Sequence, residues 1–186
     1  MVYEYMIENY SFELLNKNNL KEILLLRNQK KVRVSSFNTK IIQEKEHLEW
    51  FNNKIKNPFF HHYVLTHNEK TIGLGYGEKS SEEKKSCMWG LYLNLSIKSE
   101  IKYGSVIAYL LFEKLFNNTN VNQIKCRVKI KKDFERMKDW QINWHIRWGH
   151  EYSNFDKQLN CDNFVLKKEI WRNIKHRIYE KGFKKN

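Results

Sequence analysis

Proline and glycine are scarce, with one proline (Pro58) and seven glycines in 186 residues, and no Pro/Gly/Ser-rich stretch interrupts the chain. That scarcity argues against a flexible linker, and no internal repeat is found, so one domain over residues 1–186 is expected. Cysteine is sparse too. Cys87, Cys126 and Cys161 are odd in number, widely separated and form no CxxC pair, which argues against a disulfide framework and a zinc knuckle. No apolar run approaches the roughly 20 residues a membrane helix needs. The first ten residues carry Glu4 and Glu8 where a leader would be basic and then apolar. A cytoplasmic protein with no membrane partner is the expectation.

What is present is apolar and basic. Hydrophobic residues make up 41% and aromatics 15%, enough to build a core and to exclude a disordered chain. The formal net charge of +13 fits either a solvated lysine-rich surface or a polyanionic partner, and charge alone does not choose between them.

Periodicity orders the chain. Residues up to Leu15 suit a first strand. Asn19 followed by Glu22 reads as a capping-box start for a short helix through Leu20, Ile23, Leu24 and Arg27. Ile42 to Ile55 is helical, with Leu48, Phe51 and Ile55 on one stripe. Phe60 to Thr66 and Lys70 to Gly77 read as strands about a polar turn centred on Asn68, and Ser86 to Leu93 as a third strand after a charged turn. Gly104 opens an amphipathic helix carrying Val106, Ile107, Leu110, Leu111 and Leu115. Ile124 to Ile130 reads as a strand. A charged stretch, Lys131 to Asp139, then leads into an aromatic helix ending at Trp148-Gly149, and a strand follows at Asn163 to Lys168. A basic helix from about residue 168 to 186, with Ile170, Ile174 and Ile178 on one side, closes the chain. Such alternation predicts a mixed sheet with helices packed on it.

Two places invite chemistry. At Lys102-Tyr103-Gly104-Ser105 a small residue at a helix start lets backbone amides approach a phosphate, although one glycine equally relieves a tight turn. His145 lies between Trp144 and Trp148. It reads either as a packed histidine or as an acid titrating near neutrality.

With these landmarks in order, the sequence resembles the GNAT acetyltransferases. Their pyrophosphate loop, Gln/Arg-x-x-Gly-x-Gly/Ala, corresponds to Ser99-Glu100-Ile101-Lys102-Tyr103-Gly104, in which only the last glycine survives. Gln141 to His150 is similar to the family's Ser/Ala-Ile-x-x-Tyr/His-x-x-x-Gly-Phe signature, and Lys138 stands where the family has asparagine. The resemblance implies an α/β (α+β) fold with a mixed, mostly antiparallel sheet splayed at its centre and flanked by helices. It implies acetyl-CoA as cosubstrate. Leu91 and Tyr92 would then contact the pantetheine arm, Tyr103, Gly104 and Ser105 the diphosphate, and His145 would protonate the departing thiolate.

A further likeness covers most of the chain. Leu26-Arg27-Asn28, Glu46 to Phe51, Gly73-Leu74-Gly75 and Gly90-Leu91-Tyr92-x-Asn94 occur in the order seen in N-acetyltransferases of pseudaminic acid biosynthesis, which act on a UDP-linked 4-amino-dideoxy sugar. This resemblance implies a nucleotide-linked amino sugar as acceptor, faced by Arg27, His47, Lys79 and Tyr92. A guanidinium and an ammonium suit a diphosphate, and aromatic rings suit sugar or base faces. The same residues also read as a surface ion pair, a packed histidine and one more solvated lysine. The resemblance also allows a homodimer.

Candidate bases for the acceptor amine are His47, His62 and Glu78. His61, His62 and His67 are not expected to bind metal, because adjacent strand residues point to opposite faces and no carboxylates accompany them. Two other functions stay open: acylation of a protein N-terminus or lysine, and a basic nucleic-acid-binding module. Against the latter, the basic residues are spread along the chain without a recognition motif, so no nucleic-acid partner is expected.

Overall fold

The computed structural model describes residues 10–79, 85–97, 103–130 and 135–183, with the side chains of 135–138 and 182 outside that description. Residues 1–9 of the expected first strand lie outside the described residues. So do 80–84 of the charged turn, Ser99 to Lys102 of the pyrophosphate-loop match, 131–134 of the charged stretch, the last three residues of the closing helix and the Lys138 side chain.

The described elements run β1 (Tyr10–Leu14), α1 (Leu20–Asn28), α2 (Lys30–Ser35), α3 (Glu44–Lys54), β2 (His61–His67), β3 (Lys70–Lys79) and β4 (Ser86–Leu93). They continue with α4 (Tyr103–Asn118), β5 (Gln123–Lys129), α5 (Glu135–Arg147), β6 (Glu151–Asp156), β7 (Cys161–Lys167) and α6 (Lys168–Phe183). The sheet has seven strands in the order β1-β2-β3-β4-β5-β7-β6. β4 and β5 pair in parallel, whereas β1–β2, β2–β3, β5–β7 and β6–β7 are antiparallel. This is the mixed, mostly antiparallel sheet expected. Among the described residues, no helix is long and apolar enough to cross a membrane.

The chain divides into two compact units, residues 1–78 with 90–115, and residues 79–89 with 116–186. In the first unit, β2 and β3 join through Asn68 and Glu69, both left-handed (φ 47° and 62°). Two consecutive positive φ angles give the tight hairpin turn whose twist matches the strands. Leu15, Leu20, Ile23, Leu26, Phe51, Val64 and Leu74 form one buried cluster. A glycine row on β3 seats α4: a Cβ at Gly75 would lie 2.5 Å from Ile107 Cγ2, and one at Gly77 2.8 Å from Leu115 Cδ2. Bare backbone lets the fully buried Ile107, Leu111 and Leu115 press onto the strand, each contributing roughly 1.5–3 kcal/mol of apolar burial. The helix start at α1 differs from the capping-box expectation. Asn19 Oδ1 instead accepts the Asn16 N–H at 2.9 Å, and Glu22 accepts from the Thr71 hydroxyl across the unit, so neither caps α1.

In the second unit, β5 turns Ile124, Cys126 and Val128 inward by strand alternation, opposite Leu166, Phe164 and Asp162 of β7. α5 ends in a Schellman turn: His150 N donates to His145 O at 3.0 Å, Gly149 N donates to Ile146 O at 3.0 Å, and Gly149 has φ +81°. A Cβ at Gly149 would meet Ile174 Cδ1 and Ile170 Cγ2 of α6, so this glycine both reverses the chain and admits α6.

Candidate active site

Arg27 closes the last turn of α1 and is only 6% exposed. Its Nη2 donates to Asn38 O at 2.6 Å, while Nη1 is buried with no hydrogen-bond partner among the described residues. The guanidinium carbon stands 5.6 Å from the centre of the Tyr92 ring, within cation–π reach. The flanking residues hold this arrangement. Asn28 forms a pair of bonds with the Ile42 backbone (2.8 and 2.9 Å), and Asn94 donates to Thr71 O at 3.1 Å. In Leu26-Arg27-Asn28 and Gly90-Leu91-Tyr92-x-Asn94, the asparagines are therefore scaffolding, and Arg27 and Tyr92 are what they position.

A wall of rings continues from there. His47 lies flat on Trp50 (centroids 5.2 Å apart, 10° between planes), and Trp50 meets His62 edge-on at 5.3 Å. His62 is sandwiched between Phe60 (4.8 Å) and Tyr76 (5.4 Å), and Tyr76 approaches Tyr92 at 5.6 Å. Gly90 makes room for this, because a Cβ there would collide with the Tyr76 phenol. Glu78 ends the row, bonded to Lys54 Nζ at 3.0 Å with His62 Nε2 at 3.8 Å.

Burial governs the ionisation of these groups. It lowers the pKa of His47, helped by the Arg27 charge and opposed by Glu46. It pushes His62 down to about 3, assisted by Lys54 and His61. The nearby Glu78 carboxylate would favour a charged His62 ring, but Lys54 sits closer to that carboxylate and offsets it. Both tyrosines are raised by burial, with Arg27 partly opposing the rise. At neutral pH the wall is thus neutral rings around one buried cation.

Of the expected site residues, Arg27, His47 and Tyr92 converge here. Leu91 lies on β4, and Tyr103, Gly104 and Ser105 form the first turn of α4. The Tyr103 hydroxyl is 3.1 Å from His67 Nδ1. A Cβ at Gly104 would make only ordinary contacts, 3.5 Å to Leu93 Cδ1 and 3.9 Å to Leu91 Cδ2, so its described neighbours do not require a glycine. Gly104 also lies within the helix without a positive φ, which removes the turn-relief reading.

Lys79 and His145 belong to the second unit. Lys79 Nζ donates to Asn120 Oδ1 at 3.3 Å. His145 is buried, stacked on Phe164 (5.6 Å) and beside Trp89 and Trp144. Burial lowers its pKa to about 4, so the ring is neutral near pH 7. Trp50, Phe60 and Tyr76 carry no sequence signal of a binding role, yet they join the wall. The three-residue spacing of His47 and Trp50 only places those two on one helix face.

These two histidines make the fold sensitive to acid. A histidine with a depressed folded pKa keeps its full stabilising effect above the unfolded value of about 6.5 and loses it as pH falls toward the folded value. With folded values of about 3 for His62 and about 4 for His145, each is expected to weaken the fold by about 1.4 kcal/mol per pH unit below 6.5. Urea unfolding at pH 7.5, 6.0 and 5.0 checks this. Equal stabilities at all three would show that the rings are not buried neutral.

No protein-family model and no curated protein matches the sequence at a significant level. Solved structures do match. One, described as apo FdhC, a nucleotide-linked sugar GNAT, superposes with a TM-score of 0.71 at 20% identity, covering 95% of this chain and 96% of that one. Spermidine N-acetyltransferase from Vibrio cholerae, in complex with CoA and spermine, gives 0.75 at 12% identity, over 89% and 99% of the two chains. An N-acetyltransferase from Staphylococcus aureus Mu50 gives 0.66 at 15% identity, over 87% and 99%. At these identities the likeness establishes a shared fold, that of the GNAT N-acetyltransferases.

Proposed function

We propose that this chain is an acetyl-CoA-dependent N-acetyltransferase whose acceptor is a nucleotide-linked amino sugar. The observation that carries this reading is Arg27, a buried guanidinium whose Nη1 has no partner among the described residues, set into a wall of aromatic and imidazole rings. A buried, half-satisfied cation is costly unless a ligand completes it, and an anionic oxygen of a diphosphate does so with a charge-assisted bond. The neighbouring rings suit a sugar or base face.

Acetyl-CoA would supply the thioester, whose acetyl carbon bonds to the acceptor nitrogen as the C–S bond breaks. The first turn of α4, which holds Tyr103, Gly104 and Ser105, would offer the positive end of the helix to its diphosphate. Leu91 and Tyr92 would line its arm, and Ser105 would join Tyr103 and Gly104 at the phosphates. His47, neutral near pH 7 and beside Arg27, is the base we assign to take the proton from the acceptor nitrogen. His62 at about 3 is too weakly basic, and Glu78 is held by Lys54. A thiol has an ordinary pKa of about 8.5, so the thiolate can depart without a strong acid, and the mechanism does not depend on His145.

One neighbour by fold acts on a nucleotide-linked sugar, which supports this acceptor class. Others are spermidine N-acetyltransferases. A polycationic acceptor is disfavoured here, because the buried Arg27 cation would repel it. Incubating the protein with acetyl-CoA and a panel of UDP- and dTDP-linked amino sugars, alongside spermidine and an N-terminal peptide, should release coenzyme A thiol only with a sugar nucleotide. Release with spermidine or the peptide alone would replace this acceptor class.

A further inference from the structure

A second cluster, in the other unit, concerns ligands of a different kind. Cys126 on β5, His145 in the last turn of α5 and His150 just past it are all buried, and their ligand atoms lie within 4.8 Å of one another. Cys126 Sγ is 3.5 Å from His145 Nδ1, and the two imidazole rings stand 4.8 Å apart at 72°. The Schellman turn at Gly149 is what brings His145 and His150 to the same place, since its 6→1 bond joins these two residues. Around them are Trp89, Trp144 and Phe164.

We propose that Cys126, His145 and His150 form a three-coordinate site for a soft monovalent d10 cation, Cu(I) or its analogue Ag(I). Ligand type excludes hard ions: one sulfur and two imidazoles, with no carboxylate in the group, suit copper or zinc rather than magnesium or calcium. Charge and number then separate the remaining two. Zinc takes four ligands in closed protein sites, and a Zn²⁺ with one thiolate would leave an uncompensated positive charge in an apolar, aromatic enclosure. A monovalent ion with one thiolate and two neutral imidazoles is neutral overall. Binding replaces the Cys126 thiol proton, which passes to solvent, and forms no other covalent or redox change. Burial pushes the Cys126 thiol pKa well up, the Trp89 indole only partly opposing it, so the ion has to displace a firmly held proton. A His145 held in this way would be a structural ligand and no proton donor. The sequence leads to an expectation of no metal anywhere in the chain, and this proposal departs from it because Cys126, His145 and His150 come from separate elements and meet only in the folded unit.

The test uses the full-length chain, reduced and anaerobic, titrated with Cu(I) against a colorimetric Cu(I) chelator. We expect uptake of one equivalent, one proton released per ion, and an X-ray absorption first shell of one sulfur and two nitrogens. Cys126→Ser should weaken uptake by at least about a hundredfold, since even outer-shell changes at metal sites cost 10–100-fold. Cys87→Ser and Cys161→Ser should leave uptake unchanged. The absorption spectrum of the unaltered protein carries the test if Cys126→Ser does not fold. Failure to compete with the chelator, or uptake undiminished in a folded Cys126→Ser protein, overturns the proposal. So does a preference for Zn²⁺ over Cu(I).

Discussion

Arg27→Met is expected to lower acceptor-dependent release of coenzyme A thiol by about a hundredfold or more while the protein remains folded. The magnitude follows from the bond removed. A charge-assisted hydrogen bond to a phosphate oxygen in a buried setting is worth about 3 kcal/mol, and every 1.4 kcal/mol is a factor of ten in rate. Because Nη1 has no partner within the described protein, little of its bonding is lost from the fold itself. The Asn38 carbonyl, which loses its 2.6 Å bond from Nη2, accounts for a stability change of about 1–2 kcal/mol. The effect should fall on KM for the sugar nucleotide and on kcat, with KM for acetyl-CoA nearly unchanged. Arg27→Lys should recover only part of the loss, since an ammonium keeps the charge but not the planar fork. Steady-state kinetics against each substrate separates these outcomes. A folded Arg27→Met protein with unaltered acceptor KM would remove the central support for the proposed acceptor.

The second large effect is structural. Gly73→Ala places a methyl group against the Tyr92 carbonyl oxygen, with Leu93 Cα at 3.3 Å and Ile107 Cδ1 at 3.0 Å. Two of those neighbours are backbone, which cannot swing aside as a side-chain end can, so β3 and β4 must part locally. A loss of about 3 kcal/mol is expected, at the upper end of overpacking costs, lowering Tm by roughly 6–12 °C in a protein of this size. The distortion would also shift Tyr92 and reduce activity. Gly104→Ala is the contrasting control. Its Cβ has room, and alanine in a helix gains up to about 1 kcal/mol over glycine, so stability should hold or rise. Differential scanning calorimetry of both variants decides the matter, and equal Tm values would mean that β3 and β4 have slack at Gly73.

Much of the framework was legible because it is local. The hairpin follows from a polar turn centred on Asn68, a residue tolerant of positive φ, between two apolar runs, whereas the left-handed φ of Glu69 is imposed by the two-residue turn. Helix α4 follows from the spacing of Val106, Ile107, Leu110, Leu111 and Leu115, and the glycine ending α5 from its place after an aromatic helix. Two elements escaped the reading for physical reasons. β6 (Glu151–Asp156) is polar and mostly exposed, so no alternation marks it, and backbone pairing to β7 alone makes it a strand. α2 (Lys30–Ser35) is a single turn and a half with one buried residue, Val32, too short to show a period.

What the sequence by itself determined is the order of the elements other than α2 and β6, the mixed sheet and the positions of Arg27, His47, Tyr92 and Gly104 within those elements. Hydrophobic periodicity and turn chemistry act between neighbours a few residues apart and are written directly in the chain. Only the tertiary structure decided that Arg27 is buried with an N–H unpartnered among the described residues, that His47, Trp50, His62, Tyr76 and Tyr92 form one wall, and that Cys126 meets His145 and His150. Those residues come from separate helices and strands. Strand register, the bare glycine face of β3 and the turn at Gly149 bring them together, and no local pattern encodes such convergence.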